Sequence, residues 1–167
     1  MVNTFFKIQT ITVGASGAAT IDFTSIPQTY TDLKIVVSGR NSVSDASFLV
    51  RPNGATTNLS SRDLRGSGSA ASSATFSTII FATFTPSSYT TSVFGSSEIY
   101  IPNYTSSNFK SMSIEGVAEN NATATNMTLV ASLWSSTAAI TSITLVPNSA
   151  GNFVQYTTAT LYGISSS

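Results

Sequence analysis

Three glutamates, one glycine-rich segment and seven dispersed cations are the side chains of this 167-residue chain with the widest choice of chemistry. Glu115 and Glu119 could form a glycosidase pair. On one extended strand, however, a four-residue step separates their backbones by roughly 13 Å. A retaining pair needs carboxyl groups about 5 Å apart and an inverting pair up to about 9.5 Å. Solvated charges at a strand end are the plainer reading, and Glu98 joins either of them only through the fold. Gly66-Ser67-Gly68 matches the opening of a phosphate-binding loop, but the third glycine is missing and no βαβ unit surrounds it, so it reads as a flexible loop. Lys7, Lys34, Arg40, Arg51, Arg62, Arg65 and Lys110 are scattered among acids, whereas nucleic acid calls for a concentrated basic stripe. Arg62 and Arg65 alone lie close together, with Asp63 between them, as a loop ion-pair cluster or a protein contact point.

The missing residue types narrow the chemistry further. Histidine and cysteine are both absent, which excludes Ser–His–Asp and Cys–His nucleophiles, ordinary zinc sites and a disulfide framework. No cofactor is expected, and the chain reads as a binding protein rather than an enzyme. Met1 to Lys7 has no basic region followed by an apolar one, so no secretory signal is visible, and no apolar run approaches the roughly 20 residues that span a bilayer. Synthesis in a cytoplasm without membrane contact is the expectation. The four N-x-Ser/Thr sequons at Asn58, Asn103, Asn121 and Asn126 mean little without a secretory route.

The elements that must position these residues are strands. Phe6 and Ile8 share one phase, and Ile11 and Val13 the other, which predicts a bulge near Gln9 or Thr10. Ile21 and Phe23, then Leu33, Ile35 and Val37, then Phe48 and Val50 alternate with polar residues, as half-buried strands do. Pro27 and the turn Pro52-Asn53-Gly54 punctuate them. Phe76 to Phe84 is apolar on both faces and reads as a central strand ended by Pro86. Ile99 and Ile101, Met112 and Ile114, and Ile143 and Leu145 continue the alternation, and Phe153 to Ile164 reads as a long closing strand. Met127, Leu129, Ala131 and Leu133 form a regular period-2 row assigned to the interior, which places Trp134 outward at the strand end. At most a single helical turn fits near Leu59 to Leu64. The pattern predicts one all-β domain over residues 1–167, with its core in 4–164. An antiparallel β-sandwich of jelly-roll type with about 8–10 strands fits best.

Two stretches read as surface loops, 58–75 and 119–126, and long loops on a rigid sandwich are where binding usually sits. Charged residues make up 8% of the chain against about 25% in an ordinary soluble domain, and seven basic and seven acidic residues cancel. Such a surface offers little repulsion between copies and is easier to understand if much of it lies against partners. The interface candidates are Phe5 and Phe6 in the N-terminal segment, Arg62 and Arg65, Tyr104, Asn120 and Asn121, and Trp134.

The segments Ile21-Asp22-Phe23-Thr24-Ser25-Ile26-Pro27-Gln28-Thr29-Tyr30-Thr31-Asp32-Leu33, Glu98-Ile99-Tyr100-Ile101-Pro102-Asn103-Tyr104, Glu119-Asn120-Asn121-Ala122-Thr123 and Ile140-Thr141-Ser142-Ile143-Thr144-Leu145 carry a likeness. So do Gly151-Asn152-Phe153-Val154-Gln155-Tyr156 and Leu161-Tyr162-Gly163-Ile164. From about Thr4 to Ile164 the chain resembles short, Ser/Thr-rich structural proteins of tailed bacteriophages, cyanophages among them. The resemblance implies a capsid decoration, or cement, protein with a jelly roll, commonly trimeric, made in the host cytoplasm. It would be seated on the virion's capsid surface against the major capsid protein lattice, with no catalytic residue to carry over. A tail- or fibre-associated module binding a host-surface glycan is the other reading. Asn103-Tyr104 would supply its tip aromatic, but the chain shows no shaft or attachment segment.

Overall fold

The computed structural model describes residues 4–121 and 125–165. Over these the chain is all-β: β1 (Phe5–Thr12), β2 (Ile21–Phe23), β3 (Asp32–Gly39), β4 (Ser47–Pro52), β5 (Leu59–Gly66), β6 (Ala71–Phe76), β7 (Phe81–Thr83), β8 (Gly95–Ile101), β9 (Lys110–Glu119), β10 (Thr125–Trp134), β11 (Ile143–Pro147) and β12 (Thr158–Ile164). Among the described residues no helix forms, and two antiparallel sheets pack as a sandwich. The larger sheet runs β1-β12-β3-β8-β9-β10-β5-β6 and the smaller β2-β11-β4-β7. Four of the pairings are nested in the sequence: β5 with β6, β4 with β7, β3 with β8 and β2 with β11. They trace one long hairpin wrapped between the sheets, to which the β9–β10 hairpin and the β1–β12 pair add strands of the larger sheet.

The alternation seen in the sequence sets most of the core. Leu33, Ile35 and Val37 of β3, Ile99 and Ile101 of β8, and Leu161 of β12 point inward and meet Phe48, Val50, Ile143 and Leu145 of the smaller sheet. Phe48, Phe84 and Phe153 form an edge-on ring cluster, with Phe48 to Phe84 centroids 5.2 Å apart and Phe84 to Phe153 5.6 Å. Such pairs add about 0.5–1.5 kcal/mol each beyond their buried area. The expected β1 bulge is present as a register shift between Lys7 and Gln9 against β12.

Several elements differ from expectation. Among the described residues the strands number twelve, more than the expected eight to ten or so. The stretch 58–75, expected to be a surface loop with a helical turn near its start, is instead the β5–β6 hairpin, closed by a turn in which Ser67 donates its backbone N–H to Ala70 O at 3.0 Å. Gly68 takes φ +84 there, which explains the glycine-rich segment without a ligand. The apolar run Phe76 to Phe84 is not one central strand. The chain leaves the larger sheet after Phe76, passes through the exposed Ser77 and Thr78, and joins the edge of the smaller sheet as β7, and it is apolar on both sides from Ile80 to Phe84 because there it is buried. The closing strand begins at Thr158, because Tyr156 adopts φ +72 and Phe153 makes only isolated bridges to Ala18 and Asn41.

β7 lies very close to the larger sheet, and the inward residues beneath it are correspondingly small. A Cβ at Gly116 would fall 2.8 Å from Ser97 Oγ and 2.9 Å from Thr83 Cβ, and one at Gly95 would fall 2.9 Å from Thr85 N. Ser97 donates its hydroxyl to Thr83 O, and Thr83 and Thr128 hydroxyls bond at 2.8 Å. Gly116→Val should therefore destabilise the domain by about 1–3 kcal/mol through overpacking, read as a lowered urea midpoint.

The loop before β4 is held by one carboxylate. Asp45 accepts from Ser47 N at 2.8 Å, Ser47 Oγ at 2.7 Å and Asn148 Nδ2 at 3.3 Å, and from the Ser149 hydroxyl. Partial burial acts to raise its pKa, but the donors outweigh burial and hold it below 3.8. A carboxyl lowered on folding contributes stability that is present above its unfolded pKa and lost as pH falls through the folded value. Between about pH 6 and about pH 3 the wild type should lose more stability than Asp45→Asn, compared by urea denaturation at the two values.

Candidate functional site: the outer face of the larger sheet

The side of the larger sheet that faces away from the smaller one carries an apolar cluster. Leu64 of β5, Met127 and Leu129 of β10 and Val117 of β9 are 58%, 62%, 54% and 46% exposed. Strand register brings them together: Leu64 stands opposite Leu129, and Met127 opposite Val117. They line a shallow groove of about 590 Å³ with Glu98 and Glu115 at its border. Single exposed apolar residues are ordinary, whereas a contiguous group makes this face a candidate contact surface.

This cluster reverses the expected phase of β10. Thr128, Val130, Ser132 and Trp134 face inward, and the row 127, 129, 131, 133 faces outward. The cause lies in what the inner face touches. Ser132 Oγ bonds Ser61 Oγ at 2.9 Å, Ser61 Oγ donates to Ile79 O at 2.8 Å, and Thr128 bonds Thr83. The backbone crossing from β6 to β7 presents polar groups at short range, and a buried carbonyl left without a donor costs about 1–3 kcal/mol. Small hydroxyl residues fit that seam, and Met and Leu do not. One signal in the sequence did point this way: Val130 and Trp134 share a parity with the hydroxyls, not with the aliphatic row.

The fold also settles the carboxylates. Glu98 and Glu115 stand directly opposite each other on β8 and β9, a geometry that puts Cβ atoms about 5 Å apart. Glu119, four residues along β9, is not part of that pair. Lys34 on β3 reaches Glu98 at 2.5 Å and offsets the like-charge contact. Both glutamates lie on the outer face, at the border of the open groove. Among the described residues no group of three acids could hold a metal ion.

The remaining candidates fall in different places. Phe5 is 49% exposed on the outer face, beside a second hollow bordered by Tyr100 and Glu98. Phe6 is half-buried, its ring 5.6 Å from that of Tyr30. Tyr104, expected at a binding tip, is a core residue with no exposure, donates its hydroxyl to Pro27 O, and has its phenol pKa pushed up by burial. Trp134, expected to face outward, is buried, with the Lys110 ammonium 5.9 Å from its ring centroid. Asn120 is buried, while Asn121 is exposed, with its N–H donated to Glu119 Oε1 at 2.8 Å. The expected loop 119–126 shrinks to the connection between β9 and β10, and residues 122–124 lie outside the described residues.

Arg62 and Arg65 have opposite parity on β5. Arg62 is exposed on the outer face, opposite Ala131 and Thr75. Arg65 has the opposite parity and pairs with the buried Asp63, which also accepts the Ala74 N–H at 2.7 Å. Arg62→Ala should leave stability within about 0.5 kcal/mol of wild type. Arg65→Ala should cost about 1–3 kcal/mol by stranding Asp63, with both read from thermal or urea melts.

Comparison with family models, with curated proteins and with solved structures finds no match to this chain.

Proposed function

We propose that this chain is a non-enzymatic structural subunit of a tailed-phage virion, a decoration or cement protein. It binds the outer surface of the major capsid protein lattice and stabilises the head. The observation that carries the reading is the exposed group Leu64, Val117, Met127 and Leu129 on the outer face of the larger sheet. It is a surface built for contact on a chain with almost no charge. Arg62 lies beside Leu64 on the same face, and Glu98 with Glu115 border the groove, so charges of both signs flank the cluster. These fix the orientation of a partner more than its affinity. The nested strand pairings support the finer fold assignment, a jelly roll enlarged by the β9–β10 hairpin and the β1–β12 pair. Self-association accompanies the reading, and a trimer is what the resemblance implies. The glycan-binding alternative loses its tip aromatic, since Tyr104 is buried.

Burying a side chain of this kind yields about 1.5–3 kcal/mol when complete and proportionally less from half-exposure. Met127→Ser with Leu129→Ser should therefore weaken attachment to purified parent shells 10- to 100-fold, with the melting temperature little changed. Cryo-electron microscopy of the particle should place hundreds of copies on the icosahedral shell, with this face at the contact. A few copies confined to the tail would sink the reading.

A further inference from the structure

We infer that two copies of this chain join through strand β6, antiparallel about a two-fold axis perpendicular to the sheet, so that the two eight-stranded sheets become one.

A strand at a sheet edge presents a row of backbone donors and acceptors, and proteins that remain single blunt such edges with lysine, proline, a bulge or shortness. Among the described residues three of the four sheet edges are blunted. β1 carries Lys7 and a register shift beside it. β2 is three residues long with exposed Asp22 at its centre, and β7 is three residues long and wholly buried. β6 has none of these devices. Its six residues, Ala71 to Phe76, include no charge and no proline, and it pairs with β5 in unbroken register from Ser61 opposite Phe76 to Gly66 opposite Ala71. Residues 71 to 75 are exposed without alternation, so β6 projects past the cover of the smaller sheet and is accessible from both faces.

The occupant that fits is β6 of another copy. Small side chains of Ala, Ser and Thr let two such strands approach without a side-chain clash, and the absence of charge removes the repulsion that usually keeps identical edges apart. Formal net charge zero removes the long-range repulsion too. The register follows from the pleat. Ala71, Ser73 and Thr75 lie opposite the outward residues Gly66, Leu64 and Arg62. If the joined sheet is to keep one outer face, outward residues must oppose outward residues. Two five-residue two-fold overlaps obey that rule, centred on Ser73 or on Ala74, and Ala74 already gives its N–H to Asp63 Oδ1 at 2.7 Å, so the axis falls on Ser73, with Ser73 facing its own copy and Ala71 facing Thr75. The apolar clusters on the adjoining β5 and β10 strands of the two copies then share one continuous face. This contact gives even-numbered assemblies and so departs from a three-fold arrangement. It does not depend on what the outer face binds.

The test is sedimentation of the full-length chain over a concentration series, with three variants. Wild type should approach twice the 17.4 kDa of one chain. Ser73→Lys places like charges directly opposite each other across the axis, which is destabilising. It should sediment as a monomer, as should Ser73→Asp, and at concentrations where wild type is itself monomeric both should melt at the wild-type temperature. Mixing the two should restore a dimer of one copy of each, while Ser111→Lys on the outer face of β9 should dimerise like wild type. A wild-type monomer at every concentration, a trimer, or dimers of Ser73→Lys as stable as wild type would each overturn the two-fold β6 contact. Failure of the mixed variants to re-form a dimer would overturn the register centred on Ser73.

Discussion

The close approach of β7 to the larger sheet is the constraint from which most of the rest follows. Packed sheets ordinarily stand about 10 Å apart, a gap filled by interdigitating side chains. That spacing suits the Phe48, Phe84 and Phe153 cluster. Beneath β7 the gap closes, and the inward positions of the facing strands become Gly95, Ser97, Gly116 and Thr128. Each is small, and the two glycines leave room for backbone. The seam is thus polar as well as tight, because the crossing chain brings its carbonyls with it, and Ser61 and Ser97 satisfy two of them.

Once the inner face of β10 is given to Thr128 and Ser132, the pleat leaves no choice about the other side. Side chains alternate with period two, so fixing one parity inward sends the other outward along the whole strand. Met127 and Leu129 are exposed because hydroxyls are needed underneath them. The neighbouring strands follow the same logic: Gly116 inward puts Val117 outward, and Asp63 inward puts Leu64 outward. The apolar cluster on the outer face is therefore the counterpart of the polar seam on the inner one, and changes to either side of β10 act on both. The Leu64 to Val117 surface is a structural consequence that a partner can use, not an isolated decoration of the fold.

This coupling also explains what was legible in the sequence. Strands β2, β3, β4, β8 and β11 face a thick apolar core, so their hydrophobic residues mark the inner parity without ambiguity, and the alternation of Leu33, Ile35 and Val37 is enough. The β1 bulge was visible for the same reason, as a shift of phase between Ile8 and Ile11. Where the core thins, hydropathy points the wrong way, and the assignment of Trp134 to the surface failed with it. The β5–β6 hairpin was hidden for a different reason. β6 is made of Ala, Ser and Thr and is exposed on both sides, so it carries no hydrophobic period at all and looks like linker. Its strand character comes from pairing with β5, which is tertiary information. The cross-strand opposition of Glu98 and Glu115 was beyond reach in the same sense, because seventeen positions of sequence say nothing of a shared register.

The distribution of charge separates the two ends of the larger sheet. At the β1 end stand Lys7, Lys34 and Asp32, with Tyr100 donating to Asp32 at 2.6 Å and Lys34 pairing with Glu98. At the β6 end the last charged side chains are those of β5, and Asp63 and Arg65 spend themselves on each other. A chain with so few charges could have spread them evenly to stay single, and evenly spread charge is the usual protection of exposed strands. Instead β6 itself carries none, while Lys7 sits on the bulged β1 edge that already resists pairing.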